Sequence, residues 1–314
     1  MSWNENEFAA RLRAVGEERY HHLHPFNLRM HAGTLSKDEI RSWVLNRYYY
    51  QTRIPIKDGL ILAKADDPRF RREWVHRIHD HDGAAEGSGG LELWLVLGEA
   101  VGLERAKVES LRGVLPGVKR ACDAYVEFVE GHDLLESVAA SLTELFAGDI
   151  MVERIAAFEK HYPWVEAGGL EYFRTRTRQA PADSRHGLRF VLDNACSDPD
   201  QQRCVDALTR KCEILWSFLD AVERAHARPR LASHAQLRPD PEGDHTLVVL
   251  PERAVRLDTN ARQILDLCDG ERSSQAVAGA LRALHPEADD IETDVHDFLD
   301  EMQRIGVLER APAR

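Results

Sequence analysis

Residues 76–90 read HRIHDHDGAAEGSGG. Three histidines and two aspartates close a helix-like run, and a glycine-rich stretch follows. Two chemistries could use such a cluster: metal ligation, or proton transfer beside an anionic substrate. His76 and His79 satisfy the i,i+3 spacing of paired ligands, so a metal stays open on spacing alone. No HExxH pattern supports it in residues 1–228. Arg77 lies one turn before His81, on a different face from His76 and His79. A guanidinium repels a metal ion and grips carboxylates through two parallel hydrogen bonds, so this pair suits an anionic substrate better. Gly83 is expected to end the helix in the left-handed conformation, with AAEGSGG as a mobile flap beside a pocket.

Other groups share this character. In NRYYYQ, offsets of three and four put Arg47, Tyr50 and Gln51 on one helix face. Three aromatics beside an arginine suit a pocket wall better than a solvated surface. In EYFRTRTRQ, Tyr172 and Arg176 are one turn apart, while Arg174 and Arg178 point elsewhere, toward solvent. Lys211 sits within the otherwise apolar TRKCEILWSFLD, and Glu144 has a similar setting in SLTELF. A lone lysine on a helix is ordinarily exposed. Together these residues suggest a pocket for an aromatic polycarboxylate.

The elements that must position them are helices. FAARLRAVGEERY (8–20) and SKDEIRSWVLNRYYYQTR (36–53) show helical spacing, the second with Ser36 as N-cap. Pro55 should kink or break that helix. Further helical runs cover roughly 67–80, 90–102, 118–130, 135–160, 182–196 and 199–226. Residues 1–228 therefore read as one helical bundle around a pocket. Pro229 marks a linker. The remainder, 229–314, has short alternating runs (AQLRP, HTLVVL, AVRLD, a final VLER) with a hairpin at PDPEGD. Three helices accompany them, the first capped by Thr259. Two or three strands with three helices make a small α+β, winged-helix-like module.

Of the net charge of −12, the stretch from Leu231 to Arg314 carries −8: 17 acidic residues, 9 arginines and no lysine. That balance speaks against nucleic acid as a partner. The polar N-terminus MSWNENEFAARL is no signal peptide, and no apolar run is long enough for a membrane helix, so a cytoplasmic protein is expected. The five cysteines form no CxxC pair and read as small buried apolar residues.

NRYYYQTRIPIKD, RIHDHDG, SLTELFA, HYPWVEAGGLEYFRTR and ILWSFLDA closely resemble the pyrroloquinoline-quinone (PQQ) synthase family, PqqC, over nearly all of residues 5–228. The tail resembles PqqD, the small peptide chaperone of the same pathway. The resemblance implies a heme-oxygenase-like helical bundle, normally a homodimer, that uses neither metal nor organic cofactor. It further implies ring closure and eight-electron oxidation of a carboxylate-rich quinone precursor, with O2 as co-substrate and H2O2 as by-product. By motif, Tyr20, His21, Arg47, Tyr50, Gln51, Lys57, Arg77, Tyr125, Thr143, Glu144 and Arg154 match the substrate-binding pocket. His81, Tyr172, Arg176 and Lys211 match the residues that move protons and stabilise reduced and peroxy intermediates. The tail would bind the precursor peptide PqqA and present it to the radical enzyme PqqE.

One position departs from the motif. In AGDIMVERI, Met151 stands where the family carries an active-site histidine. Methionine neither shuttles protons nor donates a hydrogen bond. Either His81 and Tyr172 suffice, or the late oxidation is slowed, or the substrate has drifted. Two alternatives follow: a non-catalytic protein that only binds the quinone intermediate, and a metal-dependent oxidase built on the histidines near residue 79.

Overall fold

The computed structural model describes residues 3–241, 243, 245–288 and 290–311. Two compact units divide the chain, Met1–Val222 and Glu223–Arg314.

The first unit is helical: α1 (Glu5–Arg19), α2 (Pro25–His31), α3 (Lys37–Lys64), α4 (Pro68–Trp74), α5 (His76–Asp82), α6 (Gly89–Ala100), α7 (Arg105–Glu109), α8 (Pro116–Gly131), α9 (Leu134–Ala140), α10 (Glu144–His161), α11 (Glu171–Asn194) and most of α12 (Asp198–His226). Its axis is α3. Ser36 caps this helix reciprocally: its Oγ accepts from the Glu39 amide at 3.2 Å, and the Glu39 carboxylate accepts from the Ser36 amide at 2.8 Å. The buried stripe of α3 runs Ile40, Trp43, Val44, Tyr50, Gln51, Ile54, Lys57, Asp58 and Ile61. With half-buried Arg47, steps of three and four keep these positions on one face, while Leu45, Asn46, Tyr48 and Tyr49 are buried on other sides. The stripe is apolar at both ends and polar in its middle, which places polar chemistry inside the bundle. Against α3 pack α5, α6 and α8, and α10 lies along α11.

Of the expected kink or break at Pro55, no break occurs: α3 runs through it. The ring removes the hydrogen bond to the carbonyl four residues back and crowds that carbonyl, and the buried residues on either side hold the helix together. The expected single run over 67–80 is instead two helices, parted at Val75 and started by Asp67, whose side chain accepts from the Arg69 amide at 2.8 Å. Of the cysteines, Cys196 is exposed; the other four are buried. The reading of all five as buried is corrected at that position, which lies just beyond the C-terminus of α11.

The second unit has its own core, including Val248, Leu257, Leu265, Val277, Leu281, Val295, Leu299 and Val307. Among its described residues it holds five strands rather than two or three. β2 (Gln236–Pro239), β3 (Thr246–Val249) and β4 (Ala254–Leu257) form an antiparallel meander, with the hairpin where PDPEGD predicts it. β1 (Pro229–Leu231) pairs with β5 (Leu308–Arg310), so the expected linker at Pro229 is a strand. A proline is tolerated there because a two-stranded ribbon leaves one edge needing no donor. Three helices complete the unit: α13 (Thr259–Asp266), α14 (Ser274–Leu284) and α15 (Ile291–Arg304). The cap of α13 is Asp258, accepting from the Ala261 amide at 2.8 Å, and Thr259 is its first helical residue. Among the described residues no helix is long and apolar enough to cross a membrane.

Candidate active site

The polar middle of α3 is where the sequence-predicted residues meet. Arg47, half-buried, lays its guanidinium over the Tyr50 ring at 3.9 Å. Lys211 comes from the centre of an apolar stripe on α12 and is 1% exposed, so the ordinary expectation of an exposed lysine fails. Its Nζ donates to Tyr50 Oη at 2.9 Å and lies 3.5 Å from the centroid of Tyr125. Burial, then the charges of Arg47 and Lys57, drive this ammonium toward the neutral amine. Tyr172 Oη donates to Gln51 Oε1 at 3.1 Å, and its ring meets Trp94 edge-on at 4.7 Å. From α11, Arg176 donates to Glu144 Oε2 at 2.6 Å. Burial opposes the charge on Glu144, but Arg176, Arg77 and Lys57 outweigh it and hold the carboxyl at about 2. Thr143 is buried immediately before Glu144.

Two buried histidines are set in opposite tautomers. Arg154 donates to Asn27 Oδ1 at 3.1 Å; a guanidinium can only donate, so the Asn27 amide nitrogen must face His21. It donates to His21 Nδ1 at 2.9 Å and to the His21 carbonyl at 2.7 Å, which leaves the proton of neutral His21 on Nε2. His21 is held neutral by burial and by Arg47 and Arg154. The Tyr20 ring lies beside it, tilted by 35° with centroids 4.2 Å apart. His81 is the reverse. Its Nδ1 is 3.0 Å from the Arg77 carbonyl, which can only accept, so Nε2 carries the lone pair. Burial, then Arg176, push His81 down to about 4. At neutral pH it is therefore an unprotonated base without needing activation.

A titration follows from this. The His81 ring resonance of the free protein, identified by its loss in His81→Gln, should titrate near pH 4. Its unfolded value is 6.5, so the unfolded chain binds the extra proton between these two values and stability falls as pH drops through that window. A native midpoint near 6.5 would contradict the site geometry.

The glycine-rich stretch is built as a tight turn. Gly83 has φ +84°, and a Cβ there would lie 2.4 Å from the Ser88 carbonyl oxygen. Its ψ of 159° is extended rather than the left-handed helical conformation expected for it. Ser88 Oγ donates to the Ala85 carbonyl at 2.6 Å. The chain can thus leave α5 directly after His81 and bring α6 against it. Outside this turn lies an open depression lined by Asp82, Glu86, Glu92, Arg105 and Glu109. Its acidic lining does not match the buried cationic cluster, and none of the predicted site residues lines it. His76 and His79 are exposed, with ring centroids 6.3 Å apart, away from that cluster. Arg174 and Arg178 make ion pairs with Glu159 and Glu171 at the surface.

Three partners were not anticipated. Asn27 orients His21. Ser141 links Lys57 Nζ and Tyr125 Oη, at 3.2 Å from each. Asp58 accepts from Lys57 at 2.6 Å and is wholly buried. The signal for Asp58 was its adjacency to Lys57 in RIPIKD; Asn27 and Ser141 carried none.

The helical bundle is shared with solved structures. A TenA homologue from Pseudomonas syringae pv. tomato aligns with a TM-score of 0.58 at 13% identity, covering 70% of this chain and 95% of that one. A domain with a heme oxygenase-like fold from Shewanella denitrificans aligns at 0.55 and 14%, covering 70% and 90%. At such identities they show the fold alone. Residues 9–221 match the TENA/THI-4/PQQC family, and the chain belongs to that family. Residues 245–308 match Coenzyme PQQ synthesis protein D (PqqD). A pyrroloquinoline-quinone synthase of Rhizobium rhizogenes is 49% identical over 73% of this chain and 92% of its own length. A bifunctional coenzyme PQQ synthesis protein C/D of Methylorubrum extorquens is 37% identical over 98% of this chain and 95% of its own. The chain is thus a fusion of a PqqC-type, oxidase-class enzyme with a PqqD domain.

Proposed function

We propose that the first unit closes the last ring of the carboxylate-rich quinone precursor of PQQ and oxidises it with O2, releasing H2O2. One observation carries this: six cations, Arg47, Lys57, Arg77, Arg154, Arg176 and Lys211, converge on a lining of tyrosines and neutral histidines. Their shared fields support a single site. Arg176, Arg77 and Lys57 act together on Glu144, and Arg47 acts on both Lys211 and Arg154. Such a lining suits a planar polyanion, and it stabilises charge that builds on ring oxygens during reduction. It is also a poor host for a metal cation, which supports chemistry without a bound metal. His81 is the base that takes a ring proton, Tyr172 and Lys211 pass protons, and Arg176 steadies reduced oxygen. Anaerobic mixing with the precursor, then admission of O2, should give the absorbance of PQQ together with peroxide. Binding without turnover would favour the non-catalytic reading, and stoichiometric iron or manganese in active protein would favour the metal-dependent one.

In this reading the second unit binds PqqA and presents it to PqqE. The support is the β2-β3-β4 sheet, whose outer strands β2 and β4 each have a free edge within the sheet. An extended peptide adds to such an edge through backbone hydrogen bonds, whatever its charge. Calorimetry of the full chain should show PqqA binding and no binding to random duplex DNA. Silence toward the peptide at hundreds of micromolar would end the chaperone assignment. A homodimer completes the reading, with exposed Leu28 on α2 and Val152 on the neighbouring α10 available for its apolar contact.

A further inference from the structure

We propose that Asp58 is a positioning residue: it bends Lys57 toward the substrate and fixes the Trp74 shelf beneath Arg77, aiming two of the cations that receive carboxylates. This rests on the reading above, in which these cations bind the substrate. Asp58 is fully buried. Its Oδ1 accepts from Lys57 Nζ at 2.6 Å and from Trp74 Nε1 at 2.9 Å, while Oδ2 is buried with no hydrogen-bond partner. Adjacent helix positions diverge by about 100°, so a lysine does not meet the next residue by default. Lys57 must curl sideways to do so, and it is held there from the other side by Ser141. Trp74, gripped by the same oxygen, carries the Arg77 guanidinium 4.1 Å from its ring centroid. One carboxylate oxygen thereby sets two cationic arms that come from different helices, α3 and α5.

The charges around the pair are accounted for. Tyr125 from α8 lies 5.7 Å from Lys57 Nζ. Glu144 from α10 and Lys211 from α12 both feel Lys57. His81 from α5 feels Asp58. Tyr125 feels Lys57, Asp58 and Arg77. Within this set Glu144 is the only other carboxylate, so a bystander role for Asp58 makes an opposite prediction. Deleting a negative charge beside an anionic ligand should tighten binding.

The test uses the full chain and PQQ itself as probe, titrated by absorbance. In Asp58→Asn the affinity should fall about tenfold, because Lys57 loses the acceptor that bends it and Trp74 loses the oxygen that anchors its ring. Lys57→Met should bind weakly, and adding Asp58→Asn to it should weaken binding further only by the roughly threefold that the Trp74 shelf accounts for. Asp58→Asn binding as well as the parent, or better, overturns the proposal, as does a double variant in which the two losses add in full. A parent that fails to bind PQQ instead overturns the functional reading and this role with it. If Asp58→Asn does not fold, Trp74→Phe keeps a ring beneath Arg77 and frees Oδ1 from the indole. It should weaken PQQ about threefold, and no change would count against the shelf.

Discussion

Alanine at His81 should slow proton removal from the bound precursor by roughly 10²–10⁴-fold while leaving its affinity within a few-fold of the parent. The split is expected because His81 contributes a lone pair rather than a charge. It is held unprotonated by burial and by Arg176, and its Nδ1 hydrogen is committed to the Arg77 carbonyl. The arginines and lysines proposed to grip carboxylates stay in place when the ring is deleted. Anaerobic single-turnover absorbance separates the two quantities, since complex formation precedes the proton-dependent change. Unchanged chemistry in the variant would remove His81 from the role of principal base. Lys211 would then be the next residue to test, because it too is a buried nitrogen driven toward a neutral state, as His21 is.

The helices of the first unit were legible because their apolar residues recur at three and four, and Ser36 announces its helix through a capping box that the structure contains. What the periodicity hid was the sign of single positions on those stripes. Lys211 occupies a slot that reads as apolar, and only the meeting of α12 with Tyr50 and Tyr125 shows why a lysine lies there. Asp58 was passed over for a related reason. A carboxylate next to a lysine in sequence looks like a solvated pair, and nothing local says that both face inward. Pro55 allowed a break that does not occur, because local sequence does not show that α3 is held on several sides by packing. In the second unit, β1 escaped notice because its partner β5 lies at the far end of the chain, and a three-residue strand beginning with proline has little periodicity to read. The site residues taken from the resemblance do converge, Tyr20, Gln51 and Arg154 among them. Spacing alone had reached only the pairs within single helices.

Histidine at position 151 should accelerate the O2-dependent half of the reaction by about tenfold and leave anaerobic complex formation unchanged. Met151 is 8% exposed on α10, with its sulfur 4.0 Å from an Arg154 guanidinium nitrogen. That is a weak contact, and Arg154 Nε is buried with no partner at all. Burial and Arg47 together lower Arg154 to about 10, so its charge is already under strain. Imidazole is similar in volume to the methionine side chain. It would bring an acceptor to this guanidinium and a titratable nitrogen that, on the proposed reading, could protonate reduced oxygen. Close to Arg154 and out of water, the new ring should be neutral in the free protein and gain its proton only as negative charge develops on oxygen. Met151→Leu serves as the comparison: it removes the sulfur without adding a base and should oxidise at the parent rate. Stopped-flow mixing of the preformed anaerobic complex with O2 measures the step directly, with peroxide as the second readout. A Met151→His variant no faster than the parent would mean that protonation at this corner does not limit the oxidation, and that His81 and Tyr172 already supply the protons the missing histidine would have carried.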